Sequence, residues 1–212
     1  KKGIFTFYIQ AYMLLIYLER ISPRANYVFD LVFKMQFEIE YSVTQDLKFF
    51  ENYQGVKIYY ATSRKSEEEF FVKSAPLLLE NFIEKKDISV SEKHGTKILF
   101  PNQASCDMGF DVFSAIFYMI SRYEEYLPYT PDAHGRYKAS NSLAFRNHFL
   151  QIPVVDIWIR ILRKSLQKKF PDLLLKSSSF KPILTYDIDV AYKFKGRSVG
   201  RTIGAMGKDL LA

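Results

Sequence analysis

Two carboxylates two residues apart, Asp187 and Asp189, close the apolar run Pro182-Ile183-Leu184-Thr185-Tyr186. Alternate side chains of an extended chain share one side, so this spacing turns both acids the same way. At the carboxyl end of a buried strand, such a pair suits a divalent metal site or an acid/base pair. One acid holds the cation while the other takes a proton from the attacking water. The plainer alternative is a strand that ends by turning polar, its aspartates capping the next turn. The pattern alone leaves both open.

Polar residues also gather at Arg122, Glu124 and Glu125, and again at His134 and Arg136. Arg122 and Glu125 lie three apart on an expected helix and can pair. Glu124 falls on the apolar stripe of that helix, where it could anchor the long polar segment that follows, through Arg136 or Arg146. The group reads as a structural clasp or as a carbohydrate-contacting surface. A phosphate loop over 200–208 fails on spacing: Thr202 stands where glycine is needed, and Asp209 follows the lysine where Ser or Thr is needed.

The elements that must position these groups follow from periodicity and turn signals. Residues 13–18 form a continuous apolar run of strand length, and Ser22-Pro23 then caps and opens a helix to about Phe33. Residues 37–43 alternate as a half-exposed strand, and 56–60 give another, so the chain opens as an α/β layer. Residues 87–90 and 96–100 form an antiparallel pair bent at His94-Gly95. A helix over 107–127 carries Phe113, Phe117, Ile120 and Glu124 at helical spacing and stops at Pro128. A second, over 153–170, carries Trp158, Ile161, Leu162 and Leu166 on one stripe. Its tryptophan is expected to pack on Phe113, Phe117 and Ile120. Between the helices, 131–151 is long, polar and rich in His, Arg, Ser and Asn, the kind of segment that often carries function.

Composition bounds the reading. The chain has 212 residues, 48% of them hydrophobic and 17% aromatic, which is ample for a buried core and excludes a disordered tail. Its one cysteine, Cys106, allows no internal disulfide and no cysteine-based zinc site, and points to a reducing compartment, the cytoplasm. The net charge of +7 is uneven: 18 basic residues face 19 acidic ones up to Ile159, against 12 and 4 afterwards. A basic end with many tyrosines allows a nucleic-acid binder as a rival, but a solvated helix face is the simpler account, and no nucleic acid is expected. The apolar run of residues 4–18 follows two lysines but lacks a cleavage site, and at 15 residues it is short for a membrane span, so none is expected.

Thr185-Tyr186-Asp187-Ile188-Asp189 resembles the first motif of the polysaccharide deacetylases, the NodB-like carbohydrate esterases, usually Thr-Phe-Asp-Asp-Gly with a Thr-x-Asp-x-Asp variant. Its context resembles a bacterial group in which that catalytic domain follows an uncharacterised N-terminal domain. The landmarks are Leu14-Leu15-Ile16-Tyr17 with Ile21-Ser22-Pro23-Arg24, Phe110-Asp111-Val112-Phe113, and Ser121-Arg122-Tyr123-Glu124-Glu125-Tyr126-Leu127-Pro128. Gly135-Arg136, Pro153-Val154-Val155-Asp156-Ile157-Trp158, Lys195-Gly196 and Arg201-Thr202-Ile203-Gly204 complete them.

The resemblance implies a metal-dependent amide hydrolase that removes acetyl groups from N-acetylated sugars. By position it makes Asp187 the general base and Asp189 a metal ligand. Ile188 separates the acids, so the roles could be exchanged. It also implies a divalent metal, zinc, held by a His-x-x-x-His pair. The histidines here, His94, His134 and His148, lack that spacing. The pair is therefore expected beyond Ala212, with no metal in this fragment. With the serine run Ser177-Ser178-Ser179 and the change of composition there, the expected organisation is an upstream extension over 1–12, an accessory α/β (or α+β) domain with a mixed sheet and packed helices over 13–176, and a linker over 177–181. The first strand of a truncated (β/α) barrel then falls within 182–212. The expected partners are an acetylated polysaccharide or oligosaccharide and the remainder of the catalytic domain. The alternative is a non-enzymatic carbohydrate-binding or protein-interaction module.

Overall fold

Leu14–Leu18 (β1) is apolar throughout because it lies inside a sheet covered on both faces. A computed structural model describes residues 14–102, 106–176, 181–187, 196 and 198–210. Ser22 caps the next helix, α1 (Pro23–Phe29): its buried hydroxyl oxygen accepts from Ala25 N–H at 3.0 Å and donates to the Leu78 carbonyl. The helix widens into π-helical winding over Asp30–Gln36. β2 (Tyr41–Thr44) follows, then α2 (Leu47–Asn52), β3 (Lys57–Ala61) and β4 (Phe70–Lys73). The half-exposed strand expected over 37–43 is thus shorter and later, because Phe37 is drawn into the core at the end of the π-helical segment.

The strands run in the order β2-β1-β3-β4, and every neighbouring pair is parallel. The α/β layer is as expected, but its sheet is parallel throughout rather than mixed. The antiparallel component is a separate ribbon of β5 (Val90–Lys93) and β6 (Thr96–Leu99). His94 and Gly95 form its bend, both with positive φ (55° and 71°), which glycine adopts without strain. Period-two alternation divides the large sheet between two cores. Leu14, Ile16, Leu18, Ile58, Tyr60 and Val72 face the main one, with Val28 and Phe29 of α1. Leu15, Tyr59, Ala61 and Phe71 face the smaller one, closed by Phe50 of α2. Successive crossovers therefore place α1 and α2 on opposite faces, a doubly wound arrangement.

Asp111 caps α3 (Val112–Ile120), and Pro153 stands immediately before α5 (Val154–Lys169) without a side-chain cap. These two helices pack together, as their stripes suggest. The ring beside Trp158 is nevertheless Phe110, just before α3, with centroids 6.0 Å apart. Phe113 instead turns toward the sheet, edge-on to Phe29 at 5.0 Å and to Tyr60 at 5.6 Å. α4 (Leu143–Arg146) sits within the polar segment.

The chain divides into two compact units, Lys1–Ser178 and Ser179–Ala212. In the second, α6 (Val199–Leu210) leaves Val199, Ile203 and Met206 exposed. The strand expected after Pro182 is not formed: residues 181–187 lie outside regular structure, with Ile183, Leu184 and Tyr186 exposed. A strand needs a hydrogen-bonding neighbour, and no described strand pairs with this segment. No helix among the described residues is long and apolar enough to cross a membrane.

Candidate functional site

α3 does not continue to Leu127. Arg122 takes a left-handed conformation (φ 51°, ψ 44°), and the chain re-forms as a 3-10 turn over Tyr123–Tyr126. A non-glycine residue there costs about 1–2 kcal/mol, and the break swings Glu124 off the helical stripe. The Arg122–Glu125 pair does form, at 2.5 Å, but Arg122 is largely exposed, so the pair is weak.

Glu124 is the centre of a clasp. Its two carboxylate oxygens accept from Leu143 N–H at 2.8 and 3.0 Å, at the first residue of α4. The Tyr118 hydroxyl lies near enough for the Glu124 charge to oppose its ionisation. The arginine that closes on it is Arg146, at 3.6 Å, which also donates to the Asn141 carbonyl at 2.5 Å. Arg136 does not take part: its backbone N–H, like that of His134, donates to Asp132 at 2.8 Å, and both residues lie exposed on the tip of the loop. Of the five polar residues singled out in the sequence, Glu124 carries the clasp, and Arg122 and Glu125 pair beside it. His134 and Arg136 stand apart.

Around the clasp opens a cleft of about 1090 Å³. Tyr118, Tyr129, Tyr137 and Leu127 supply its apolar surface, and Glu124 and Arg146 lie in its wall. Tyr129 and Tyr137 meet edge to face at 5.0 Å, held by the 131–137 bridge that folds the loop back on itself. Lys85, Lys86 and Asp87 form the opposite side. Lys86 is already neutralised by Glu80 and Glu84. Lys86, Arg146 and Glu124 thus each face an opposite charge beside the aromatic rings. Tyr137 is pushed up to about 12 by burial and by the Glu124 charge, and Tyr118 is raised by the same causes. Both phenols are therefore neutral donors at physiological pH.

Burial also raises the Glu124 carboxyl, against the opposing pull of Leu143 N–H, Arg146 and Tyr118. A carboxyl raised in the folded state contributes stability fully below its unfolded value of about 4.3, and that contribution is lost as pH rises through the folded value. Glu124→Gln keeps an acceptor for Leu143 N–H and cannot titrate. Its melting temperature should fall less than the parent's as pH rises above about 4.3. Parallel melts from acid to neutral pH check this, and two superimposable profiles would refute it.

Of the acids read from the C-terminal motif, only Asp187 lies among the described residues. Asp187 is exposed on the irregular segment 181–187, and Asp189 lies outside the described residues. His94 sits in the β5–β6 bend with Nε2 3.2 Å from the Met108 carbonyl, His134 on the loop tip, and His148 just after α4. No group of three or more His, Cys, Asp or Glu side chains among the described residues could hold a metal ion. The described donors alone therefore make no zinc site. The cleft residues that the sequence did not single out are Tyr118, Tyr129 and Tyr137. They come from three segments, and only an unusual density of tyrosine between Tyr118 and Tyr137 hints at them.

Nothing among curated proteins or solved structures matches the chain. Residues 14–171, which include the whole parallel sheet and both walls of the cleft, match a family of unknown function (DUF7033), and the chain belongs to that family.

Proposed function

We propose that this chain is the accessory region of a polysaccharide deacetylase-like, metal-dependent hydrolase acting on N-acetylated sugars, and that its cleft binds the glycan. The observation that carries the reading is the cleft itself: tyrosine rings with neutral hydroxyls, flanked by a partly buried carboxylate and an arginine already paired with each other. Aromatic faces cover the apolar C–H surfaces of a sugar, while phenol, amide and guanidinium groups meet its hydroxyls and acetamido groups. The hydrolytic part of the reading rests on the resemblance of Thr185–Asp189 and its landmarks, with residues 182–187 becoming the first strand of the barrel only where the rest of the barrel supplies a neighbouring strand. Asp187 as base and Asp189 as ligand belong to that reading, and the metal with its histidines to the rest of the catalytic domain.

Titration of the chain with N-acetylated chito-oligosaccharides should show binding by calorimetry, and Tyr137→Ala should weaken it roughly tenfold, about 1.4 kcal/mol. Added zinc or cobalt should give no acetate release. Turnover that Asp187→Ala abolishes would overturn the accessory role, and absence of glycan binding would overturn the cleft assignment. A second reading, a carbohydrate-binding module without hydrolytic role, draws on the exposed, unassembled position of Asp187.

A further inference from the structure

A second cleft of about 500 Å³ lies along the same two chain segments as the first. Ile83 lines the second, and Lys85–Ile88 line the first. On the facing segment, Ile120–Tyr123 and Tyr126 line the second, while Glu124 and Leu127–Thr130 line the first. The two segments are tied at one point between the clefts. Tyr123 Oη donates to the Glu84 carbonyl and accepts from the Glu84 N–H, both at 3.1 Å. The left-handed Arg122 makes this possible, because the 3-10 turn after it sends Glu124 to one cleft and Tyr123 and Tyr126 to the other.

The second cleft repeats the chemistry of the first. Tyr27 and Tyr126 are 54% and 67% exposed on its rim, large rings left open to solvent. Its cations are already engaged. Arg24 donates to the carbonyls of Leu77 (2.8 Å) and Phe82 (2.6 Å) and lies over the Phe117 and Tyr123 rings, while Arg122 pairs with Glu125. With the Arg24 guanidinium held by carbonyls and ring faces and Arg122 by a carboxylate, the exposed rings are what this cleft offers most openly to a ligand. Clefts of roughly 300–1,000 Å³ enclose one small molecule, so the first cleft alone reaches that limit and the second extends beyond it.

Resting on the glycan reading above, we propose that the two clefts are successive subsites of one groove, which takes a linear, uncharged oligosaccharide laid across the Tyr123–Glu84 tie. The first cleft grips one end of the chain and the Tyr126 side carries its continuation.

The test is a length series of N-acetylated chito-oligosaccharides, dimer and hexamer, titrated into the full chain. The hexamer should bind at least tenfold tighter than the dimer. Tyr126→Ala, at an exposed ring whose loss leaves the core intact, should remove that advantage and leave dimer binding unchanged. Tyr137→Ala should weaken both. Equal affinities for the two lengths, or a Tyr126→Ala variant that binds hexamer like the parent, would overturn the two-subsite groove while leaving the glycan reading standing. Failure of both oligosaccharides to bind would overturn the glycan reading and the groove with it.

Discussion

Trp158→Ala should destabilise the fold by about 3–5 kcal/mol, the range for removing a large buried aromatic side chain. The indole is fully buried on α5, on a stripe with Val154, Leu162 and Leu166, and lies against Phe110. Its N–H donates to the Lys97 carbonyl at 2.8 Å, so one side chain joins α5 to the β5–β6 ribbon and to the entry of α3. Alanine would leave a cavity too well walled to collapse and strip the Lys97 carbonyl of its donor. With total stabilities of about 5–15 kcal/mol for such domains, the variant would keep little margin. Denaturant melts followed by circular dichroism measure the difference, and a midpoint equal to the parent's would show that this seam does not bear on stability.

Asp111→Ala should be comparably costly, at about 3 kcal/mol or more, because four donors converge on one buried carboxylate. Oδ1 accepts from the Phe113 and Ser114 N–H groups at 3.1 and 3.0 Å, capping α3. Oδ2 accepts from the Tyr60 hydroxyl at 2.6 Å and from Ala75 N–H at 2.7 Å. The carboxylate thus fastens α3 to β3 and to the chain leaving β4. Burial pushes its carboxyl up despite the four donors, so neutral side chains of similar size deserve a parallel trial. Asp111→Asn retains one acceptor oxygen and should recover part of the loss. If the alanine variant lost less than about 1 kcal/mol, a typical single hydrogen bond, the donors would have found other partners and the hub role would be wrong.

How much of this was legible in the residues depends on how local the physics is. Ser22-Pro23 names its cap, His94-Gly95 its bend and Pro153 its helix start, because each acts within a few bonds. The unbroken apolar run at β1 announces a strand covered on both sides, yet pairing direction is set by distant segments, so the parallel order was not visible. The break at Arg122 was hidden for a different reason. Ser121 to Tyr126 is acceptable helical sequence, and the Glu124–Leu143 and Tyr123–Glu84 contacts that favour the break come from residues distant in the chain. Glu124 stands out as an acid on an apolar stripe, but nothing local chooses its arginine between Arg136 and Arg146, two residues of the same polar segment. Loop folding through Asp132 carries Arg136 away and leaves Arg146 on α4 to close the clasp.

The sealed position of Trp158 also makes the protein its own optical instrument. It is the one tryptophan in the sequence, so emission excited at the red edge of protein absorbance comes from a single dry site between α5, Phe110 and the ribbon. Both clefts, by contrast, are lined with tyrosine and no tryptophan. Ligand binding in the groove should therefore change tyrosine emission while the tryptophan band holds its position, and loss of the core should move that band toward the red. One cuvette can then separate occupancy of the groove from unfolding of the domain that carries it.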